Sequence, residues 1–160
     1  MRVFILLLLL VSLSSSAQKS PIGTYQDYFG TRLEIRSDST FFYTYKFHLY
    51  SSWTLGVWYT QEDTIHFSMT PVWDTVRLEG RYASKDTLLL SVDSLASRET
   101  HSFYFDALRG YGQRYYDYPK KLIFAGSRLY QIRSDGKPDR TKVKSYGRKQ
   151  KVPTWLYQAS

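Results

Sequence analysis

The sequence predicts an all-β protein: an antiparallel up-and-down meander that forms a small barrel or half-barrel of about eight strands. Three observations predict it. Apolar and polar residues alternate along much of the chain, turn motifs recur at hairpin spacing, and aromatic residues are abundant, with 15 Tyr, 9 Phe and 4 Trp among 160 residues. Only residues 94–100 show a helical period, and that period is weak.

Residues 1–17 have the features of a secretory signal peptide. Arg2 precedes an apolar run that ends at Val11, and the small residues Ser15 and Ala17 precede a cleavage position. The run is about half of the roughly 20 residues that a membrane-spanning helix needs. We therefore expect an exported protein, periplasmic or extracellular.

The strands follow from alternation with a period of two residues. Every odd position from Phe41 to Phe47 is aromatic, and similar alternation marks residues 53–60, 65–69, 75–79 and 102–106. Turns rich in Asp, Ser and Gly separate the strands at residues 37–39, 61–63, 84–86 and 126–127. Short polar side chains favour such turns because they bond nearby backbone N–H groups.

Charge divides the mature chain into two parts. Residues 119–151 contain 11 Lys or Arg and two Asp, whereas the rest of the mature chain is slightly acidic. We therefore expect an antiparallel β domain over residues 18–133 and a basic C-terminal tail over residues 134–160. The aromatic segment at residues 153–157 is expected to dock back on the barrel.

The residue inventory favours a protein without catalytic or metal chemistry. The absence of cysteine excludes disulfides, thiolate zinc sites and cysteine nucleophiles. The three histidines lack ligand spacing, and no nucleophile elbow, zinc-protease helix or phosphate loop is present. We expect no enzymatic activity, no cofactor and no metal site.

Aromatic residues at alternate strand positions are candidates to line a pocket for a small apolar ligand. The candidate ligand-binding residues are Tyr43, Tyr45, Trp53, Trp58, Phe67 and Phe103. The alternative is that these rings fill the barrel, because an eight-stranded barrel is just wide enough either to be filled or to hold one small ligand. Trp53 and Trp58 are five residues apart, so on a regular strand they face opposite sides.

A tyrosine-rich loop and the basic tail form a second candidate surface. Its residues are Tyr111, Tyr115, Tyr116, Tyr118, Lys142, Lys144, Arg148, Lys149 and Lys151. Tyrosine offers contact area with a polar tip, and lysine and arginine attract anionic lipid or glycan of the cell envelope. The alternatives are a loop that covers the barrel end and a solvated tail.

Export argues against nucleic acid as a partner, and the sequence leaves the oligomeric state open. A further alternative function is a small outer-membrane β-barrel, whose size and alternation are compatible with the sequence. Against that class, the chain ends in Gln158-Ala159-Ser160 instead of an aromatic terminal strand.

Several short motifs resemble the small lipocalin-like exported β-barrel proteins of Gram-negative bacteria, most of which have no assigned function. The motifs are Gly23-Thr24-Tyr25, Ser37-Asp38-Ser39-Thr40-Phe41, Trp53-x-x-Gly56-x-Trp58 and Asp63-Thr64-Ile65, after a signal peptide. Tyr25 stands where true lipocalins have a tryptophan. The resemblance implies a meander barrel or half-barrel whose interior could hold an apolar ligand.

Overall fold

A computed structural model describes residues 20–77, 86–91, 93–94, 98–100, 111–114, 116–145, 147 and 149–159. These residues contain fourteen β-strands and, within the described ranges, no helix. The strands are β1 (Gly23–Gln26), β2 (Thr31–Ile35), β3 (Thr40–Phe47), β4 (Tyr50–Gln61), β5 (Thr64–Met69), β6 (Trp73–Arg77), β7 (Asp86–Leu90), β8 (Arg98–Thr100), β9 (Tyr111–Gln113), β10 (Lys121–Ala125), β11 (Arg128–Tyr130), β12 (Lys142–Lys144), β13 (Lys151–Pro153) and β14 (Leu156–Gln158).

Eight of these strands form a closed antiparallel meander barrel. Their order around the barrel is β1, β2, β3, β4, β5, β10, β11 and β14, and β14 pairs with β1 to close the ring. This confirms the predicted fold class and resolves the choice between barrel and half-barrel. Closure also removes the two unpaired edges that an open sheet would expose.

The turns confirm three of the predicted corners. Residues 36–39, 62–63 and 126–127 connect β2 to β3, β4 to β5, and β10 to β11, and all three lie at one end of the barrel, the turn end. The opposite end carries the turns at residues 27–30 and 48–49. The two long connections between barrel strands, residues 70–120 and 131–155, begin and end there, so this end is called the insertion end.

The long connections contain the remaining strands. β9 runs parallel to β4, with Gln113 opposite Trp53. Strands β6, β7 and β8 form a separate three-stranded sheet, and β12 and β13 form a hairpin. The weak helical period over residues 94–100 does not correspond to a helix at residues 98–100, which form strand β8.

The C-terminal segment is part of the barrel wall. Strand β14 lies between β1 and β11, with Leu156 opposite Leu129 and Tyr157 opposite Gln26. The barrel therefore includes residues on both sides of the predicted boundary at residue 133. The predicted signal peptide, residues 1–17, lies outside the described residues.

Large side chains fill the middle of the barrel. The Phe41 ring contacts the Phe67 ring edge-on, with centroids 5.0 Å apart, and the Tyr118 ring at 5.7 Å. The buried cluster comprises Tyr25, Leu33, Ile35, Phe41, Tyr43, Ile65, Phe67, Tyr118, Leu122, Leu129 and Leu156. The interior of the barrel is thus a packed core along most of its length.

Truncating Phe41 to alanine should destabilise the protein by about 3–5 kcal/mol, because it leaves a cavity between Phe67 and Tyr118. Phe47→Ala is the matched control on the same strand: Phe41 is 1% exposed and Phe47 is 54% exposed. The control should change stability by less than about 0.5 kcal/mol. Equilibrium urea unfolding measures both, and similar losses in the two variants would contradict this account of the core.

Candidate functional site

The barrel has a recess at each end, separated by the packed core. The recess at the insertion end has a volume of about 450 Å³, and the one at the turn end about 460 Å³. Ligand pockets in proteins usually occupy about 300–1,000 Å³, so either recess is large enough for a small molecule. Their linings differ in chemistry.

The recess at the insertion end is called here the tyrosine pocket. Its lining residues are Asp27, Phe29, Thr31, Tyr43, Tyr45, Tyr50 and Asp117. The β1–β2 turn supplies one side, and β3 and β4 supply the tyrosines. The segment before β10 supplies Asp117. Residues far apart in sequence meet there because all of these segments end at the same rim.

Hydrogen bonds fix both carboxylates of the tyrosine pocket. Asp27 Oδ1 accepts bonds from the backbone N–H groups of Phe29 (2.7 Å) and Thr31 (2.9 Å), which shapes the β1–β2 turn. The Tyr50 hydroxyl donates to Asp117 Oδ2 and joins the long connection to β4. The pocket rim is therefore held by side-chain as well as backbone contacts.

The environment of the pocket keeps the phenols of Tyr43 and Tyr50 protonated. Burial raises the pKa of Tyr43 to about 12; the Thr31 hydroxyl opposes this shift, and the Asp27 and Asp117 carboxylates add to it. Burial also raises the pKa of Tyr50, and its hydrogen bond to Asp117 raises it further. At neutral pH both phenols can donate hydrogen bonds.

A buried hydroxyl lies behind the wall of the tyrosine pocket. Ser52 is 1% exposed, lies opposite Tyr45 across the β3–β4 ladder, and faces the same side of β4 as Tyr50. A hydrogen-bond contact from the Ser52 side chain lowers the pKa of the Tyr50 phenol, although the contact falls outside ordinary hydrogen-bond geometry. Ser52 therefore acts on the pocket through Tyr50 and does not line the recess.

The recess at the turn end is lined by Ser20, Pro21, Trp58, Thr60, Glu62, Asp63, Phe124 and Gly126. The Trp58 indole N–H donates to the Arg36 carbonyl (3.0 Å), so its polar edge is already bonded. Glu62 and Asp63 lie in an exposed turn. This recess is the more enclosed of the two, but fewer hydroxyl and carboxylate side chains line it than line the tyrosine pocket.

A third feature is a basic face formed by the residues around β11, β12 and Trp155. The charged groups of Arg128 and Lys142 lie 5.5 and 6.0 Å from the centroid of the Trp155 ring. The Tyr130 ring contacts Trp155 at 5.7 Å and Arg140 at 5.6 Å. A nearby recess of about 460 Å³ is lined by Arg133, Lys137, Pro138, Arg140 and Thr141.

The predicted ligand-binding residues do not line one cavity. Tyr43 and Tyr45 line the tyrosine pocket, Phe67 lies in the packed core, and Trp58 lines the recess at the turn end. The assignment of Trp53 to the interior is corrected. Its partner across the ladder is Thr44, it stacks on Phe42 at 6.2 Å, and it lies on the outer side of the barrel. Phe103 lies outside the described residues.

The predicted interaction surface is also divided. Tyr116 is 94% exposed, and the lysines at positions 142, 144, 149 and 151 are exposed. The structure corrects the assignment of Tyr118 to the interaction surface. Tyr118 is 5% exposed and packs on Phe41, and its hydroxyl accepts a hydrogen bond from the Met69 N–H at 3.1 Å. The side chain of Tyr111 and all of Tyr115 and Arg148 lie outside the described part of the chain.

Sequence reasoning missed the carboxylates and Tyr50. Asp27 begins a turn that ends in Gly30, and that signal alone indicates a turn without indicating a pocket. Tyr45 pairs with Ser52 and Tyr50 pairs with Phe47, so a hairpin centred on residues 48–49 would have placed Tyr45 and Tyr50 as diagonal neighbours on one face. No sequence signal places Asp117 beside them.

Comparison with known proteins identifies no relative. No protein-family model matches the chain, and no curated protein or solved structure matches it. Within the described part of the chain, no helix has the length and apolar character needed to cross a membrane. The same residues contain no group of three or more His, Cys, Asp or Glu side chains placed to hold a metal ion.

The raised pKa of Tyr43 predicts a specific pH dependence of stability. Its folded pKa of about 12 exceeds the ordinary value of 10.0, so the unfolded chain ionises first as pH rises. The contribution of the Tyr43 phenol to the free energy of unfolding is complete below pH 10 and is lost as pH rises through 12. Between pH 8 and pH 11, the free energy of unfolding of Tyr43→Phe should therefore fall by about 1.4 kcal/mol less than that of the wild type.

Urea unfolding at the two pH values measures this difference. Loss of the Tyr43 hydrogen bond to Thr31 lowers the stability of the variant equally at both pH values, so it cancels. An identical pH dependence in wild type and variant would contradict the burial of this phenol.

Proposed function

We propose that this protein is an exported, non-enzymatic β-barrel that binds a small ligand in the tyrosine pocket. The observation that carries the proposal is the convergence of three tyrosines and two carboxylates on a recess of about 450 Å³ at one barrel mouth. Pockets of this size that combine aromatic walls with a few fixed polar groups are typical of small-molecule sites.

The packed core limits the size of the ligand. Phe41, Phe67 and Tyr118 occupy the barrel centre, so a ligand enters the mouth and does not thread through the barrel. Its apolar part would contact the rings of Tyr45 and Tyr50, whose centroids are 5.8 Å apart. Its polar part would meet the hydroxyl and carboxylate groups at the rim.

The protonated state of the Tyr43 phenol favours binding over catalysis. A phenol with a pKa of about 12, as at Tyr43, does not serve as a general base near neutral pH. Asp27 Oδ1 is committed to two backbone N–H groups and Asp117 to Tyr50. These groups are fixed for recognition.

Export and a relationship to the lipocalin-like exported proteins are part of the proposal. The signal-peptide pattern at residues 1–17 supports export, and the closed eight-stranded barrel is the architecture that the resemblance implies. A barrel without cysteine that functions outside the cytoplasm depends on packing for its stability, which fits the aromatic core.

A second candidate function is binding of an anionic envelope lipid or glycan by the basic face. The specific observation is the recess lined by Arg133, Lys137 and Arg140, next to lysines exposed along β12 and β13. Asp135 and Asp139 partly offset this charge, the former through a 3.3 Å ion pair with Arg133. Positive charge still predominates there.

We do not favour the outer-membrane alternative. Barrel strands β10, β11 and β14 have five, three and three residues, whereas a membrane-spanning strand needs about 9–11. In addition, Glu34 on β2 forms ion pairs with Arg32 (3.3 Å) and Arg36 (3.1 Å) on the outer side. Charges on a lipid-facing surface are unfavourable.

Replacing Tyr50 with alanine should weaken the binding of a neutral aromatic probe. N-phenyl-1-naphthylamine is small enough for the pocket, and its fluorescence rises in an apolar site. We expect the wild type to bind it and Tyr50→Ala to bind it about two- to tenfold more weakly, since an aromatic contact contributes about 0.5–1.5 kcal/mol. Titration of probe fluorescence gives both dissociation constants.

The matched control is Tyr59→Ala. Tyr59 lies on the same strand but is 54% exposed and stacks on His66 outside the pocket, so its truncation should leave the affinity unchanged. Absence of probe binding to the wild type, or equal loss in both variants, would refute the tyrosine pocket as the ligand site.

For the second candidate, the test is retention on heparin. Lys142→Gln combined with Lys144→Gln removes two charges from the basic face, and Lys46→Gln combined with Lys121→Gln removes two from elsewhere on the barrel. The first variant should elute at lower salt than the second. Lysines that contact heparin release its bound counterions, whereas lysines elsewhere on the barrel change only the net charge of the protein. Equal elution of the two variants would contradict a specific basic face.

A further inference from the structure

The tyrosine pocket combines two features that favour positive charge. Aromatic faces attract a cation through the negative potential of the ring, and Tyr43, Tyr45, Tyr50 and Phe29 supply four rings. Two carboxylates, Asp27 and Asp117, lie on the same rim. In a recess that partly excludes water, both attractions are stronger than on an open surface.

We propose that the ligand of the tyrosine pocket is a small organic cation, an ammonium compound whose charged head lies among the tyrosine rings between Asp27 and Asp117. This inference rests on the proposed function and names the ligand class for the same site. It differs from the apolar ligand that the sequence predicted, because the polar rim was not visible in the sequence.

The pKa shifts of Tyr43 and Tyr50 indicate the sign of the electrostatic potential in the pocket. Both carboxylates raise the pKa of Tyr43, and Asp117 raises that of Tyr50, so each opposes a second negative charge in the pocket. The guanidinium of Arg114 is a positive group that acts on Tyr50 in the opposite direction. Among the described charged groups that act on these two tyrosines, two carboxylates outnumber one guanidinium, which makes this part of the site acidic.

The recess at the turn end is the natural comparison, since it also has aromatic and acidic residues. Its acids, Glu62 and Asp63, are exposed, and Trp58 already uses its N–H on the Arg36 carbonyl. Solvent screens exposed charges, so they add little to the binding of a cation. Asp63 therefore serves as a matched control for Asp117.

The test compares choline with its neutral isostere 3,3-dimethylbutan-1-ol by NMR titration of the purified protein. The two probes have the same shape and hydroxyl arm and differ in charge. We expect choline to bind about tenfold more tightly or better. Asp117→Asn should weaken choline binding about tenfold and change binding of the alcohol less than twofold, because asparagine keeps the shape and removes the charge.

Asp63→Asn should leave both affinities unchanged. The inference is overturned if the alcohol binds as tightly as choline, if neither probe binds, or if Asp63→Asn weakens choline as much as Asp117→Asn does. Binding of N-phenyl-1-naphthylamine separates the two proposals. If that probe binds while choline shows no preference, the cation assignment fails alone; if neither choline nor the aromatic probe binds, the ligand site itself fails.

Discussion

The contact between the Phe41 ring and the backbone of Gly56 determines how the barrel is filled. The two residues are partners across the β3–β4 ladder, and a Cβ on Gly56 would lie 2.9 Å from Phe41 Cε1 and 2.0 Å from the Ser68 carbonyl oxygen. Only glycine leaves room for the ring and for the close approach of β5. The ring can then meet Phe67 and Tyr118 at the barrel centre.

The position of Tyr118 in turn fixes one wall of the tyrosine pocket. Its ring lies in the core and its hydroxyl accepts the Met69 N–H at the end of β5, so the segment before β10 is held against the barrel. Asp117, the preceding residue, is thereby placed at the rim, where Tyr50 donates to it. The short segment before β10 therefore contributes both to the packed core, through Tyr118, and to the rim of the tyrosine pocket, through Asp117.

Alternation predicted the fold class well because it depends only on which residues are apolar. It could not predict which face of β4 points inward, because that depends on register. The β3–β4 turn consists of His48 and Leu49, with His48 at a φ of 52°, and neither residue is a usual turn former. With the register unknown, Trp53 was placed inside; in the structure it pairs with outward-facing Thr44. Strand β14 has three residues, too few for a periodic signal.

The net charge of +8 would suggest that the protein repels cations, yet charge acts locally. The basic face is formed by the outer side of β11 with β12 and Trp155, whereas the tyrosine pocket is lined by the β1–β2 turn, β3, β4 and Asp117, so the two features use different residues. Exposed charges are screened over about 8 Å at physiological ionic strength, whereas carboxylates beside a partly enclosed recess are screened less. Among the described residues, Asp27, Asp117 and Arg114 act on the pocket tyrosines, so the cation proposed for the pocket is compatible with the anionic ligand proposed for the basic face.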